Sequence, residues 1–453
     1  MQNLTPESSP SARLPLPPKA PGLPGLGSTL GMYNDPLHYL LRLYHTLGPI
    51  FRVQVPGRTY TVLAGLEANQ FMTRGGDEYL GSGDLFGGFA AEMGTDFFLT
   101  SLDGEPHRQM RKLLRPGYSR DQVLPHLGSM VEITRRMASQ WQPGQSLALL
   151  PAVQRIIVEQ LGATVINHAP GEYFDDIWEF LNTMMYVKVM KIWPKSMLWR
   201  PAYRRARLRI NEFARLVIQE HRENPPVNRQ RDVLDDVLAY RDANGLPVSE
   251  QGLIITAIGP YFAGMDTVSN TLAFMVYALL KNPAVLAQVI SEAGHLLSKE
   301  TLTQADLKEA KALYGATLET LRMYPVAAFL PRQAVKAFEF GGCRVDAGTH
   351  ILMASGVTHY LPQFYPEPEK FDIERYQSPR NENRQPGAFA PYGLGAHTCL
   401  GAGIAEIQLM LTAAALFHTV RLELDPPGFQ AIVRPLPVPS LGRRFKVRVL
   451  GAA

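Results

Sequence analysis

Residues 252–280 carry a single charged side chain, Asp266, and no other feature of the chain constrains the fold as much. The run is long enough to cross a bilayer. A carboxylate at its midpoint, beside Gly264, Thr267, Ser269 and Asn270, costs on the order of several kcal/mol in lipid. A helix at the centre of a large globular protein avoids that cost, because it is apolar all round and buried on every side. The run is therefore read as a buried central helix, with no membrane span. It carries an acid into the interior, and a buried carboxyl needs a reason.

The rest of the chain can build such a body. Of 453 residues, 46% are hydrophobic and 19% charged, the balance of a folded protein rather than a disordered one. Lysine plus arginine exceeds aspartate plus glutamate by 45 − 41, a net +4, too thin a surplus over this length for nucleic-acid binding. Two cysteines exclude a disulfide framework and any multi-cysteine zinc or iron–sulfur site. The amino terminus lacks the apolar core of an export signal. Pro17, Pro18, Pro21 and Pro24 make residues 1–28 an extended leader.

Alternation on both sides of Pro56-Gly57 predicts two strands joined by a tight turn, within a strand-rich segment near 48–64. From about residue 105 to 324 the apolar spacing is helical. Alternation and glycine turns return within 325–360, followed by a proline-rich connection, a glycine-dense loop and a last long helix through Ile404 to Phe417. The fold class is mainly α with a small β lobe.

Cys399 ends the glycine-dense loop, FAPYGLGAHTCLGAG, just before that helix. Gly393, Gly395, Gly401 and Gly403 permit positive φ and close backbone approach to something flat or bulky. The positive end of a helix lowers a thiol pKa, which favours thiolate. Three readings stand at this point: a small buried cysteine, a nucleophile served by His397, or a metal ligand.

Tyr392, Gly393, Gly395, His397, Cys399 and Gly401 resemble the haem-binding loop of the cytochrome P-450 family, with tyrosine where the family usually has phenylalanine. Other segments carry the same resemblance. Glu319 and Arg322, three apart, share a helical face and can pair. In isolation they would read as a surface ion pair of under about 1 kcal/mol. In the family this pair is buried with a downstream arginine, here Arg375, and the three form a structural network that holds the cysteine loop. Ala263, Gly264, Met265, Asp266 and Thr267 resemble the oxygen-binding segment. There Gly264 would let a diatomic molecule approach the backbone, and Thr267 can bond the carbonyl four residues back. Asp266 and Thr267 would deliver protons during oxygen activation.

The resemblance further implies haem b (iron protoporphyrin IX), with Cys399 as the metal ligand and Gly401 beside it. His107, Arg111, Arg332 and His397 would act as cations around the haem propionates. Ala263, Gly264, Val326, Ala327 and Phe329 would line the substrate site. Two further candidate walls are the Gly- and Phe-rich segment 79–100 and a methionine-rich one containing Met184, Met185, Met190 and Met197. The arginines 200, 204, 205, 207 and 209 read as a solvated helix face, with peripheral membrane contact as the second reading. Residues 29–453 would form one catalytic domain in the cytoplasm. It would insert one atom of O2 into a lipophilic small molecule resembling a terpenoid, steroid or fatty acid. Electrons would come from a ferredoxin or flavodoxin with its reductase, docked near Arg108, Lys112 and Arg115. Two rivals remain: a peroxide-driven or rearranging haem-thiolate enzyme, and a haem sensor or carrier without turnover.

Overall fold

The computed structural model describes residues 14–227 and 229–453; residues 1–13 of the expected leader lie outside the described residues. The central helix runs Glu250–Lys281. Ser249 caps it, its hydroxyl accepting from the Gly252 amide, and Asn282 leads into Pro283, where the chain turns away. It is buried along almost its whole length, against the helices Leu149–Val165, Pro201–Glu223, Lys311–Met323 and Ala402–Thr419. The missing charges thus have a packing reason. The helix Ala402–Thr419 also has the length and apolarity to cross a membrane, yet 67% of it is buried inside the protein. Both are core elements of one hydrophobic cluster.

The β lobe is built from short strands. β1 (Ile50–Val55) and β2 (Arg58–Ala64) form the expected hairpin, with Gly57 at φ 75° in the turn. With β3 (Leu80–Gly81), β5 (Leu330–Ala334) and β8 (His350–Ala354) they make a five-stranded sheet in the order β1-β2-β8-β5-β3. Between β5 and β8, β6 (Phe338–Phe340) and β7 (Cys343–Val345) form a small hairpin that buries Cys343. The described part of the leader lies along β1. The Ala20 amide donates to the Arg52 carbonyl at 2.8 Å, and the Arg52 amide to that of Pro18 at 2.7 Å. An unforeseen second sheet joins β4 (Ser146–Ala148), β10 (Lys446–Ala452) and β9 (Val420–Asp425), although RLELD and KVRVL both alternate.

One polar cluster ties the helical body to the cysteine loop. Glu319 and Arg322 lie on the helix Lys311–Met323, and the two bonds from Arg322 Nε and Nη2 to the carboxylate are both 2.8 Å. Arg375 Nε reaches the same carboxylate at 3.1 Å, and all three side chains are 0% exposed. The remaining donors go to backbone carbonyls, Arg322 to His359 and Pro368 and Arg375 to Pro366 and Glu367, and Arg375 Nη1 also donates to the Glu382 carboxylate at 2.9 Å. The Tyr376 hydroxyl donates to Glu319 at 2.6 Å. A buried charge cluster is tolerable only when its donors and acceptors are satisfied this fully, and removing one member costs about 3–5 kcal/mol.

His359 carries the grip onward. One ring nitrogen, Nδ1, faces the Arg322 carbonyl at 3.1 Å, while Nε2 accepts from the Ala390 amide at 2.9 Å. That pattern needs a neutral imidazole protonated at Nδ1. Burial, helped by the Arg322 charge, pushes its pKa down from 6.5 to about 3. The native pKa lies below the unfolded one, so the unfolded chain binds more protons in this window. The stabilisation is complete above pH 6.5 and is lost as pH falls toward about 3, at up to about 1.4 kcal/mol per pH unit. Denaturant titrations of the wild type and His359→Asn at a series of pH values are expected to show a wild-type advantage that shrinks through this window. An advantage independent of pH would contradict the neutral, doubly bonded ring.

Candidate active site

Cys399 sits between a short turn, Gly395–His397, and the helix Ala402–Thr419. Its amide donates to the Tyr392 carbonyl at 2.8 Å, which curls the loop and presents the sulfur to a cavity. Of the four loop glycines, only Gly393 (φ 74°) and Gly395 (φ 72°) use left-handed backbone. Gly401 caps the helix at φ −90°, and the missing Cβ of Gly403 leaves room for Arg120. The expected lowering of the thiol pKa is corrected. Cys399 lies ahead of the first helical turn, where the dipole fades. Burial pushes the thiol up and outweighs the Gly401 amide and the Arg111 charge. Cys399 is exposed and lines the cavity. A metal ion bound there would deprotonate the thiol outright.

The opposite wall is the central helix, through Ala263, Gly264, Thr267 and Val268. Ala263 is the one exposed residue between the ends of this helix, and it lines the cavity. The Thr267 hydroxyl donates to the Ala263 carbonyl at 2.7 Å, as expected. Asn270 and Thr271 similarly bond the carbonyls of Asp266 and Thr267, both at 2.8 Å. With Pro260 offering no amide upstream, this stretch of helix is open to bending.

Two expectations about this segment change. Asp266 is not on the cavity wall and is not without a partner: its Oδ1 accepts from Gln154 Nε2 at 2.9 Å, on the helix Leu149–Val165. Burial pushes the Asp266 carboxyl up, more than the Gln154 bond and the Arg443 charge pull it back. At Gly264 a Cβ would meet Leu161 Cδ1 at 2.7 Å. The missing Cβ thus makes room for the neighbouring helix, while the Gly264 backbone still lines the cavity.

One edge of the cavity is polar. His107, Arg111 and His397 line it, with the two imidazoles 4.0 Å apart between ring centres. His397 Nε2 lies 3.0 Å from the Asp103 carboxylate and 3.2 Å from the Ser82 hydroxyl. His107 is fully buried. Burial, with the neighbouring His397 and Arg111 charges, lowers its pKa to about 4. It is therefore a neutral donor here and not the cation expected. Arg332 is absent from this wall and lines a neighbouring cavity.

Val326, Ala327 and Phe329 are also corrected, since none lines the cavity. Val326 packs on the helical core and Phe329 into the cluster beneath β1, β2 and β8. Phe97, Phe98, Leu99 and Thr100, from the Gly- and Phe-rich segment, do line it. Of the methionines, Met184 is core and Met190 faces the neighbouring cavity. Gln154, Tyr118, Asp103 and Ser82 were missed, and no spacing signal marks any of them. They reach the site only through tertiary packing.

A lone sulfur opposite an apolar wall, with an arginine and two histidines at one edge, fits a flat metal macrocycle carrying carboxylates. The class this defines is a haem-thiolate protein. The cytochrome P450 family pattern matches residues 17–437. A putative cytochrome P450 139 of Mycobacterium tuberculosis is 29% identical over 394 residues, covering 85% of this chain and 90% of its own. Cyclooctat-9-en-7-ol 5-monooxygenase of Streptomyces melanosporofaciens is 26% identical over 422 residues, 90% of each chain. The structure of retinoic-acid-bound cyanobacterial CYP120A1 superimposes with a TM-score of 0.82 at 25% identity, covering 97% of this chain and all of the other. This chain belongs to the cytochrome P450 family: it is a haem-binding monooxygenase.

Tyr392, the tyrosine in place of the usual phenylalanine, packs near Phe389 with its hydroxyl buried and without a hydrogen-bond partner among the described residues. An unsatisfied buried hydroxyl costs about 1–3 kcal/mol. Tyr392→Phe is expected to raise the denaturation midpoint, by roughly 1 kcal/mol in stability. An unchanged or lower midpoint would show that the hydroxyl is satisfied.

Proposed function

We propose that this monooxygenase acts on a lipophilic small molecule (terpenoid, steroid or fatty-acid-like) and receives electrons from a separate ferredoxin or flavodoxin. The observation that carries the reading is the apolar cavity over Cys399, with the Thr267 hydroxyl on its far wall. Haem bound there, with Cys399 as its ligand and Arg111, His107 and His397 at its carboxylates, would supply O2 activation and insertion of one oxygen atom. Retinoic acid in CYP120A1, a largely apolar molecule, supports the substrate class.

The chain's own residues bind, exclude water and move protons. Phe98 packs edge-on to Phe86 and Phe262 and stacks on Phe89, an aromatic wall that keeps bulk water from the cavity. Thr267 holds a hydroxyl at the cavity while its own proton is engaged by Ala263. Asp266, one residue earlier, keeps its carboxyl outside against Gln154, and a side-chain rotation brings a proton to Thr267. Burial shifts the Asp266 carboxyl toward its protonated form. This acid–alcohol pair argues against a peroxide-driven or rearranging enzyme, and a relay would be idle in a sensor. Arg108, Lys112 and Arg115 are exposed around the helix Gly104–Leu114, a cationic face suited to an acidic electron donor. A cytoplasmic location goes with this reading, supported by the burial of both long apolar helices.

Screening lipophilic compounds for a low- to high-spin Soret shift tests the substrate class. No shift with any of them would overturn it. Thr267→Ala is expected to keep haem but lower product formed per electron by on the order of tenfold or more. Equal coupling in both proteins would remove Thr267 from the relay. Gln154→Leu deletes a bond that favours the charged carboxylate, so the basic limb of the pH–rate profile is expected to move to higher pH. An unmoved limb would place the titration elsewhere.

A further inference from the structure

Where the helix Pro201–Glu223 ends, His221, Arg229, Asp232 and Asp235 gather in one largely buried cluster, and none of them lines the cavity over Cys399. Arg229 donates to both oxygens of Asp235 at 2.7 Å and lies 3.7 Å from Asp232. His221 Nε2 lies 2.8 Å from Asp232 Oδ2, and Nδ1 lies 2.8 Å from the Val217 carbonyl. Both ring nitrogens therefore face acceptors, and only a doubly protonated imidazolium can donate to both. Charge balance asks for the same state. Two carboxylates meet one guanidinium, and the ring supplies the second positive charge.

Asp232 holds more than the ring. Its Oδ1 caps the helix Val233–Ala239 through the amides of Leu234 and Asp235, at 2.9 and 3.2 Å, and its Oδ2 also accepts from Asn167 Nδ2 at 2.8 Å. Asn167 sits at φ 47°, left-handed backbone that a non-glycine residue keeps only when its surroundings hold it there. The next residue, His168, places ring Nδ1 2.8 Å from Glu220 Oε2, and its carbonyl accepts from the Tyr261 hydroxyl at 3.3 Å. Tyr261 belongs to the central helix and precedes Phe262 of the cavity wall. The His221 imidazolium thus joins three segments that meet beside the central helix.

Protonation decides whether this junction holds. Burial opposes the charged ring, but the bond and charge of Asp232 outweigh it and raise the His221 pKa above 6.5, although Arg229 pulls the other way. The same pairing holds the Asp232 carboxyl below its usual 3.8, against the effect of burial. His126, on the neighbouring turn Leu124–His126, also feels the Asp232 charge, yet burial lowers its pKa, so it does not replace the charge of His221. The native His221 pKa lies above the unfolded one. The stabilisation is therefore complete below pH 6.5 and is lost as pH rises through the raised value. A neutral ring would turn a lone pair toward an acceptor oxygen and leave two buried carboxylates with Arg229 alone.

We propose that His221 is a pH-sensitive anchor: as an imidazolium it ties the carboxyl end of the helix Pro201–Glu223 to Asp232, and on losing a proton it releases that end together with the helix Val233–Ala239. The body of the longer helix stays packed in the core through Ile210, Phe213 and Val217, so the release is local.

Hydrogen exchange of the haem-loaded protein at pH 6.5 and pH 9, corrected for the intrinsic pH dependence of amide exchange, reads the anchor directly. His359 loses its contribution only below this range. Protection of residues 218–223 and of Val233–Ala239 is expected to fall by on the order of tenfold between the two conditions, while the hairpin of β1 and β2 keeps its own. His221→Gln removes the titrating charge, and Asp232→Asn keeps a helix-capping residue but removes the partner charge. Each is expected to show no such fall, and Asp232→Asn decides the matter where His221→Gln does not load haem. Wild-type protection independent of pH, an equal fall in the hairpin, or a fall that persists in a haem-loaded variant overturns the proposal.

Discussion

The carboxylate of Glu319 bridges two guanidiniums that no water reaches, with Glu382 as the second acid on Arg375, and the geometry of the site depends on it. Without it Arg322 would carry an uncompensated charge at that depth, and Arg375 would keep only Glu382. Together they use the spare donors to hold the backbone of residues 359–370 against the helix Lys311–Met323. Through His359 and Ala390 the same hold reaches the loop where the Cys399 amide meets the Tyr392 carbonyl. The sulfur is thus aimed by a cluster that takes no part in the chemistry. Rigid placement of one weakly acidic thiol requires that separation of roles.

Burial sets the protonation of three groups in and around the site, each in the direction its position calls for. It raises the Cys399 thiol, so a bound cation is what makes it a thiolate. It raises the Asp266 carboxyl, against the pull of the Gln154 bond. It lowers His107, beside the permanent charge of Arg111 at the same edge of the haem cavity.

Much of the fold was legible in the chain because single residues carried it. A run with Asp266 as its only charge had to be a core helix, and Pro56-Gly57 had to turn between strands. Glu319, Arg322, Arg375 and Cys399 could be named from short motifs, since local spacing sets what they do. What could not be read depends on which distant segments meet. Gln154 lies on a helix far from Asp266 in sequence, and only packing reveals their bond. The gap at Gly264 is filled by Leu161 for the same reason. Arg332 was expected at the haem edge, but β5 carries it to the neighbouring cavity, and a strand's residues cannot show which cavity they will border.

Carbon monoxide added to the purified, reduced protein tests the central claim most directly. A ferrous haem held by the Cys399 thiolate gives a strongly red-shifted Soret band that neither a nitrogen ligand nor a neutral thiol produces. The account requires that band in the wild type and its loss in Cys399→Ala. Freshly prepared, folded wild-type protein that binds haem yet shows only the shorter-wavelength band would contradict it.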